Sequence, residues 1–156
     1  MGNAREGFAS RNGNIPAHYM KLFGSDKVSC SFPIEVACAV IRRGGKILIT
    51  RRRKGDHLGG LWEFPGGKRL GGESLGACLE RELREELAVR VRPLRFLRRI
   101  DYRYPEKTVS LYFYDCELLE GNPRPTGCEE FRWIWPFELR RFSFPPADEA
   151  ILKELH

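Results

Sequence analysis

The pattern of apolar and polar positions divides the chain into two unequal parts. Residues 1–32 are rich in Gly, Asn and Ser and show no sustained periodicity. They are expected to form a mobile N-terminal tail, with at most a short helical turn near His18 to Phe23. From Ile34 the pattern tightens. Ile34 to Ile41 (IEVACAVI) is a mostly apolar, β-branched run that predicts a buried strand. Arg43-Gly44-Gly45 predicts a turn, and Lys46 to Arg52 the second strand of a hairpin. Arg53 to Gly60 reads as a polar loop, and Leu61 to Gly67 as a short aromatic segment closed by Pro-Gly-Gly. Leu75, Leu79, Leu83 and Leu87 recur every four residues, which predicts a helix over Glu73–Leu87 with Ser74 as its N-cap. Strands are predicted over Val89–Ile100, Thr108–Cys116 and Phe131–Trp135, with a turn at Pro105 between the first two. Pro146 precedes a closing helix, about Ala147 to Leu155. Strands predominate, interrupted by one helix and ended by another, so residues 33–156 read as a single domain of the α+β (mixed α/β) class.

Composition narrows the class further. A chain of 156 residues, 42% hydrophobic and 31% charged, has the make-up of one folded domain with its own core. No apolar run approaches the ~20 residues that a membrane-spanning helix needs, and the N-terminus lacks a secretory pattern. The five cysteines (Cys30, Cys38, Cys78, Cys116, Cys128) form no CxxC pair. That argues against a disulfide framework or structural zinc and suits a reducing, cytoplasmic setting. Cys38 and Cys78 fall on predicted core faces. The net charge of +6 favours anionic partners, and its distribution is more telling. From Arg42 to Arg69 there are nine Lys/Arg and only two acids, Asp56 and Glu63. From Glu73 to Glu86 the balance reverses, with Glu73, Glu80, Glu82, Glu85 and Glu86 against Arg81 and Arg84. A basic segment followed by an acidic one suits a polyphosphate with its metal ions.

The acidic segment is Arg81-Glu82-Leu83-Arg84-Glu85-Glu86. At helical spacing Glu82, Glu85 and Glu86 share one side, beside the leucine stripe. Like charges so placed repel, and a hard divalent cation with oxygen ligands offsets that. A solvated face neutralised by Arg81 and Arg84 is the competing reading of these six residues. Their context is more specific. Gly67, five residues, Glu73, seven residues, then Arg81-Glu82-Leu83-Arg84-Glu85-Glu86-Leu87-Ala88-Val89 resembles the Nudix box, G-x5-E-x7-R-E-U-x-E-E-x-G-U, with U aliphatic. Every defined position matches except Ala88, where the family has Gly. That Gly commonly ends the helix at positive φ, so the departure concerns helix-end geometry rather than chemistry. IEVACAVI with KILITRR, LWEFPGGK and FPPADEAIL extend the resemblance, to the MutT-like branch, over about Ile34 to Leu155.

The resemblance implies a Nudix fold, a mixed central sheet packed between helices. It also implies hydrolysis of a nucleoside triphosphate to the monophosphate and pyrophosphate. By position, Glu82, Glu85 and Glu86 with the carbonyl of Gly67 would bind Mg²⁺ or Mn²⁺, and Glu82 would orient or deprotonate the attacking water. Glu73 and Arg81 would form a structural salt bridge. The family's distant glutamate falls at Gly127, leaving Glu129 or Glu130 as substitutes. Arg52 matches a phosphate-contacting arginine, His57 a histidine near substrate, Phe64 a residue lining the base pocket, and Lys107 a position near the base. Asp148 matches the base-reading position, where Asn is common in enzymes selective for 8-oxoguanine. Each has a plainer role open to it: solvated charge for Arg52, His57 and Lys107, core packing for Phe64, and a helix N-terminal acid for Asp148. Implied substrates are 8-oxo-dGTP or, alternatively, CTP or a 5-substituted dCTP. From another class comes a non-catalytic damaged-DNA-binding domain, which the +6 charge suits and the intact Glu82, Glu85, Glu86 set opposes. RNA 5′-end processing also suits the charge, but no dedicated RNA-binding segment supports it. No stable nucleic-acid partner and no membrane are expected, and either a monomer or a homodimer fits.

Overall fold

The structure, a computed structural model, describes residues 32–155. The tail expected over residues 1–32 lies outside the described residues apart from Phe32, as does His156. The elements are β1 (Ile34–Arg43), β2 (Lys46–Arg51), β3 (Trp62–Glu63), β4 (Gly66–Lys68), α1 (Leu75–Leu87), β5 (Arg90–Arg103), β6 (Thr108–Glu120), β7 (Glu130–Ile134) and α2 (Glu149–Glu154). Short 3-10 turns cover Pro136–Arg141 and Pro146–Asp148.

The strands form one mixed sheet in the order β3-β2-β1-β6-β5, with β4 added to β1 and β7 to β2. β1 and β6 run parallel from Ile34↔Val109 to Ile41↔Cys116, and the other pairs are antiparallel. Successive residues of a strand point to opposite faces, so β1 feeds two cores. Ala37, Ala39 and Ile41 meet Leu79, Leu83 and Leu87 of α1. Cys38 and Val40 lie with Phe64, Phe113 and Ile151 in the second core. Burial on both faces explains why β1 reads as a continuous apolar run. Each fully buried leucine of α1 contributes about 1.5–3 kcal/mol, which anchors the acidic side of that helix against the sheet.

Several boundaries differ from the sequence reading. The β5–β6 hairpin extends past both predicted strands, to Arg103 and Glu120. Its outer rungs are held by charge pairs such as Arg90–Glu120 and Arg92–Glu117, which leave no apolar alternation to read. The aromatic segment Leu61 to Gly67 forms two short strands, and the glycines of the expected Pro-Gly-Gly turn begin the second of them, β4. The closing helix begins as a 3-10 turn, so regular α-helix starts at Glu149 rather than Ala147. α1 starts at Leu75 with Ser74 as N-cap, its Oγ accepting from the Ala77 N–H at 3.1 Å.

Ala88 closes α1 in the left-handed region, φ 56° and ψ 36°, its N–H donating to the Arg84 carbonyl. A Cβ is strained there by about 1–2 kcal/mol, partly offset by the greater freedom of Gly in the unfolded chain. Ala88→Gly is therefore expected to raise stability by about 0.5–1 kcal/mol, and thermal melting should show Tm rising by a few degrees.

Candidate active site

The start of β4 at Gly66 and Gly67, the buried side of α1, the β2–β3 loop and the 3-10 turn before α2 surround one cavity of about 370 Å³. That is within the size range of small-molecule sites. Arg52, His57, Phe64, Gly67, Glu82, Glu86, Lys107 and Asp148, singled out in the sequence, all line it. Glu85 does not. Its side chain is 63% exposed and pairs with Arg81 at 3.4 Å. One turn of helix thus divides the three glutamates, with Glu82 and Glu86 inward and Glu85 at the rim.

Glu73 and Arg81 form a bidentate pair, Arg81 Nε to Oε1 at 2.7 Å and Nη2 to Oε2 at 3.1 Å. Arg81 also donates to the Lys68 carbonyl at 3.0 Å and to Glu82 Oε1 at 2.7 Å. Glu73 accepts from the Leu70 N–H as well, at 3.0 Å. The bonds from Arg81 and then from Leu70 hold its carboxyl down at about 2. This brace ties the loop after β4 to α1 and fixes one oxygen of Glu82.

A Cβ at Gly67 would fall on the Glu82 carboxylate, so only glycine lets the carboxylate lie against that backbone. Glu86 Oε2 accepts from the Gly66 N–H at 3.2 Å. Burial, then the charges of Glu63 and Glu82, push the Glu86 carboxyl up to about 8. Burial and then Glu63 lift Asp148, which is 6% exposed, to about 7, with Arg52 opposing. Among the described residues no three His, Cys, Asp or Glu side chains converge as a closed metal cage. Two carboxylates crowded against a backbone loop fit an open site instead. Mg²⁺ commonly takes one or two carboxylates and completes its shell with water and substrate phosphate.

Phe64 is both core and wall. It is buried against Phe113 and Phe144, at centroid distances of 5.8 and 5.5 Å, and it lines the cavity. His57 lies 3.6 Å from Glu106 and edge-on to Tyr104 at 5.6 Å. Glu129 and Glu130 hold Arg51 at 3.2 and 3.3 Å and are not among the lining residues. Gly127 and Cys128 are. A Cβ at Gly127 would come within 2.9 Å of the Glu86 Cα, so this backbone leaves no room for a larger residue in that slot.

Sequence reading missed Glu63, which lines the cavity and binds Arg52 at 2.6 Å. It also missed Asp56 and Tyr104, which line the same cavity. A lone acid within the aromatic stretch LWEFP was the available signal for Glu63, because a buried charge calls for a partner.

The sequence matches the NUDIX domain family over residues 36–154. It is 35% identical over 120 residues to the 8-oxo-dGTP diphosphatase of Buchnera aphidicola (subsp. Schizaphis graminum), covering 77% of this chain and 91% of that protein. It is 32% identical over 120 residues to the CTP pyrophosphohydrolase of Escherichia coli K12, covering 77% and 89%. The MutT protein from Methanosarcina mazei Go1 shares the fold with a TM-score of 0.73 at 23% identity, over 81% of this chain and 96% of that one. The chain therefore belongs to the NUDIX family, in its MutT-like branch. It is a Nudix hydrolase of the nucleoside triphosphate diphosphatase type, and hydrolases of this family typically use a divalent metal. Among the described residues no helix is long and apolar enough to cross a membrane.

Proposed function

We propose that this hydrolase acts on 8-oxo-dGTP, releasing 8-oxo-dGMP and pyrophosphate. One observation carries the reading: a single cavity is lined by the inward acids Glu82 and Glu86, by Arg52, by the buried acid Asp148 and by Phe64. Water attacks a phosphorus of the anhydride in line, and the opposite P–O bond breaks. Glu82 orients that water and accepts its proton. Glu82, Glu86 and the Gly67 carbonyl would hold Mg²⁺ or Mn²⁺, which would supply neutralisation of charge on the phosphate oxygens. Arg52 and Lys107 add positive charge, and His57 closes the wall. Glu85 serves from the rim by pairing Arg81. Asp148 meets the base. With its proton it donates to one base atom and accepts from a neighbour, as the O6 and N7–H edge of 8-oxoguanine requires.

The same donor–acceptor pair matches N3 and N4 of cytosine. Together with the similarly related CTP pyrophosphohydrolase, this keeps a cytidine triphosphate as the second reading. The deciding measurement is nucleoside monophosphate formation from 8-oxo-dGTP, dGTP, CTP, 5-methyl-dCTP and ADP-ribose, with Mg²⁺ and after chelation. Metal-dependent turnover led by 8-oxo-dGTP is expected. A lead by CTP or 5-methyl-dCTP would establish the second reading, and turnover of ADP-ribose alone would refute both.

A further inference from the structure

Among the described residues Arg52 is the one guanidinium lining the cavity, which Asp56, Glu63, Glu82, Glu86 and Asp148 also line. A long, flexible cation so placed has several acids to fall onto. Two bonds prevent it. Arg52 Nε donates to the His57 carbonyl at 2.7 Å, and Nη1 donates to Glu63 Oε2 at 2.6 Å. Among the described residues Nη2 has no hydrogen-bond partner. Glu63 comes from the two-residue strand β3, whose pairing Thr50↔Glu63 and Arg51↔Trp62 locks it beside the end of β2. Its neighbour Trp62 is buried in the core. The acid is therefore held by backbone register and by packing on both sides, Trp62 before it and Phe64 after it. Its side chain is 20% exposed, against 29% for Arg52, so water screens the pair only in part.

We propose that Glu63 is a positioning residue of the nucleotide site. It fixes the Arg52 guanidinium so that Nη2 is kept for an anionic oxygen of the ligand, and it keeps Arg52 off Glu86 and Asp148. The acids on α1 then remain free for a cation, and Asp148 remains free for the base. The proposal rests on the assignment of Arg52 to a phosphate. It does not depend on which base is bound.

The test is calorimetric binding of inorganic tripolyphosphate, with Mg²⁺ present, to the full chain and to Arg52→Ala, Glu63→Ala, Glu63→Gln and the Arg52→Ala/Glu63→Ala double variant. Glu63→Ala is expected to weaken binding about tenfold, as loss of one charge-assisted orientation would. Glu63→Gln keeps an acceptor for Nη1 and should recover to within about threefold of the wild type. The double variant should bind no more weakly than Arg52→Ala, because Glu63 acts through Arg52. With the preferred nucleotide, Glu63→Ala should raise KM more than it lowers kcat. Wild-type affinity in Glu63→Ala would overturn the proposal, as would additive losses in the double variant. So would a wild type that binds no tripolyphosphate. If tripolyphosphate coupling is found but no nucleotide is hydrolysed, the positioning role stands and the proposed reaction falls. Thermal melting of each variant separates lost binding from lost fold, with Glu63→Gln as the less disruptive arm.

Discussion

Glu82→Gln and Glu86→Gln are each expected to lower pyrophosphate release by about 10³-fold or more, while Glu85→Gln stays within about tenfold of the wild type. All three occupy defined positions of the same helix motif, so the contrast comes from geometry. Glu82 lies against the Gly67 backbone with one oxygen held by Arg81, and Glu86 is buried and receives the Gly66 N–H. Glu85 is exposed and outside the cavity. Glutamine keeps the shape of each side chain and removes only its charge and basicity, so the fold should survive. Melting curves provide the second check. In chelator, Glu86→Gln should melt above the wild type, because the variant no longer holds an acid beside Glu63 and Glu82 in a buried place. Added Mg²⁺ should raise the Tm of the wild type by binding the folded state, and raise that of Glu86→Gln less. Equal loss of turnover in all three variants would mean that Glu85 turns inward in the working enzyme.

The division between Glu82, Glu86 and Glu85 also shows what was legible before the structure. A spacing of three and four residues places all three on one side of α1. It does not say where the cavity edge crosses that side, because that depends on the β1–β4 pairing that seats Gly67 over Glu82. The α1 leucines were readable because their period matches one buried face. The outer β5–β6 rungs were not, because cross-strand charge pairs replace apolar alternation there. Ala88 kept the left-handed turn expected of the family's glycine, so the end of the helix was readable despite the departure. Glu63 escaped notice for the opposite reason. Its partner is Arg52, eleven residues away in the chain and brought beside it by the pairing of β2 with β3. Glu129 and Glu130 looked like stand-ins for a missing acid by position. Their partner is Arg51, on the neighbouring strand, which no spacing along one segment reveals.

Asp148→Asn is expected to stabilise the protein at pH 8 by about 2–4 kcal/mol and to flatten its stability between pH 4 and pH 7. In the folded chain Asp148 is 6% exposed, and burial followed by the charge of Glu63 raises its carboxyl from 3.8 to about 7. Below 3.8 the group is protonated in both states and costs nothing. Between 3.8 and 7 the unfolded chain gives up the proton while the folded chain keeps it. The folded state then binds more protons, and stability falls as pH rises. Above about 7 the folded group ionises too, and the loss levels off. Glu63 and Glu86, also raised, slope the same way, so the informative quantity is the difference between wild type and variant across pH, measured by chemical unfolding. Asparagine removes the titration and always presents one donor and one acceptor. Kinetics should follow the same proton. The wild-type KM for 8-oxo-dGTP should rise about tenfold from pH 6 to pH 8 as the donor is lost, whereas that of Asp148→Asn should stay level. A wild-type KM that is flat across this range, with the stability difference still present, would make Asp148 a strained buried acid that does not touch the base. Base choice would then have to come from Phe64, Tyr104 and Lys107, which line the same cavity.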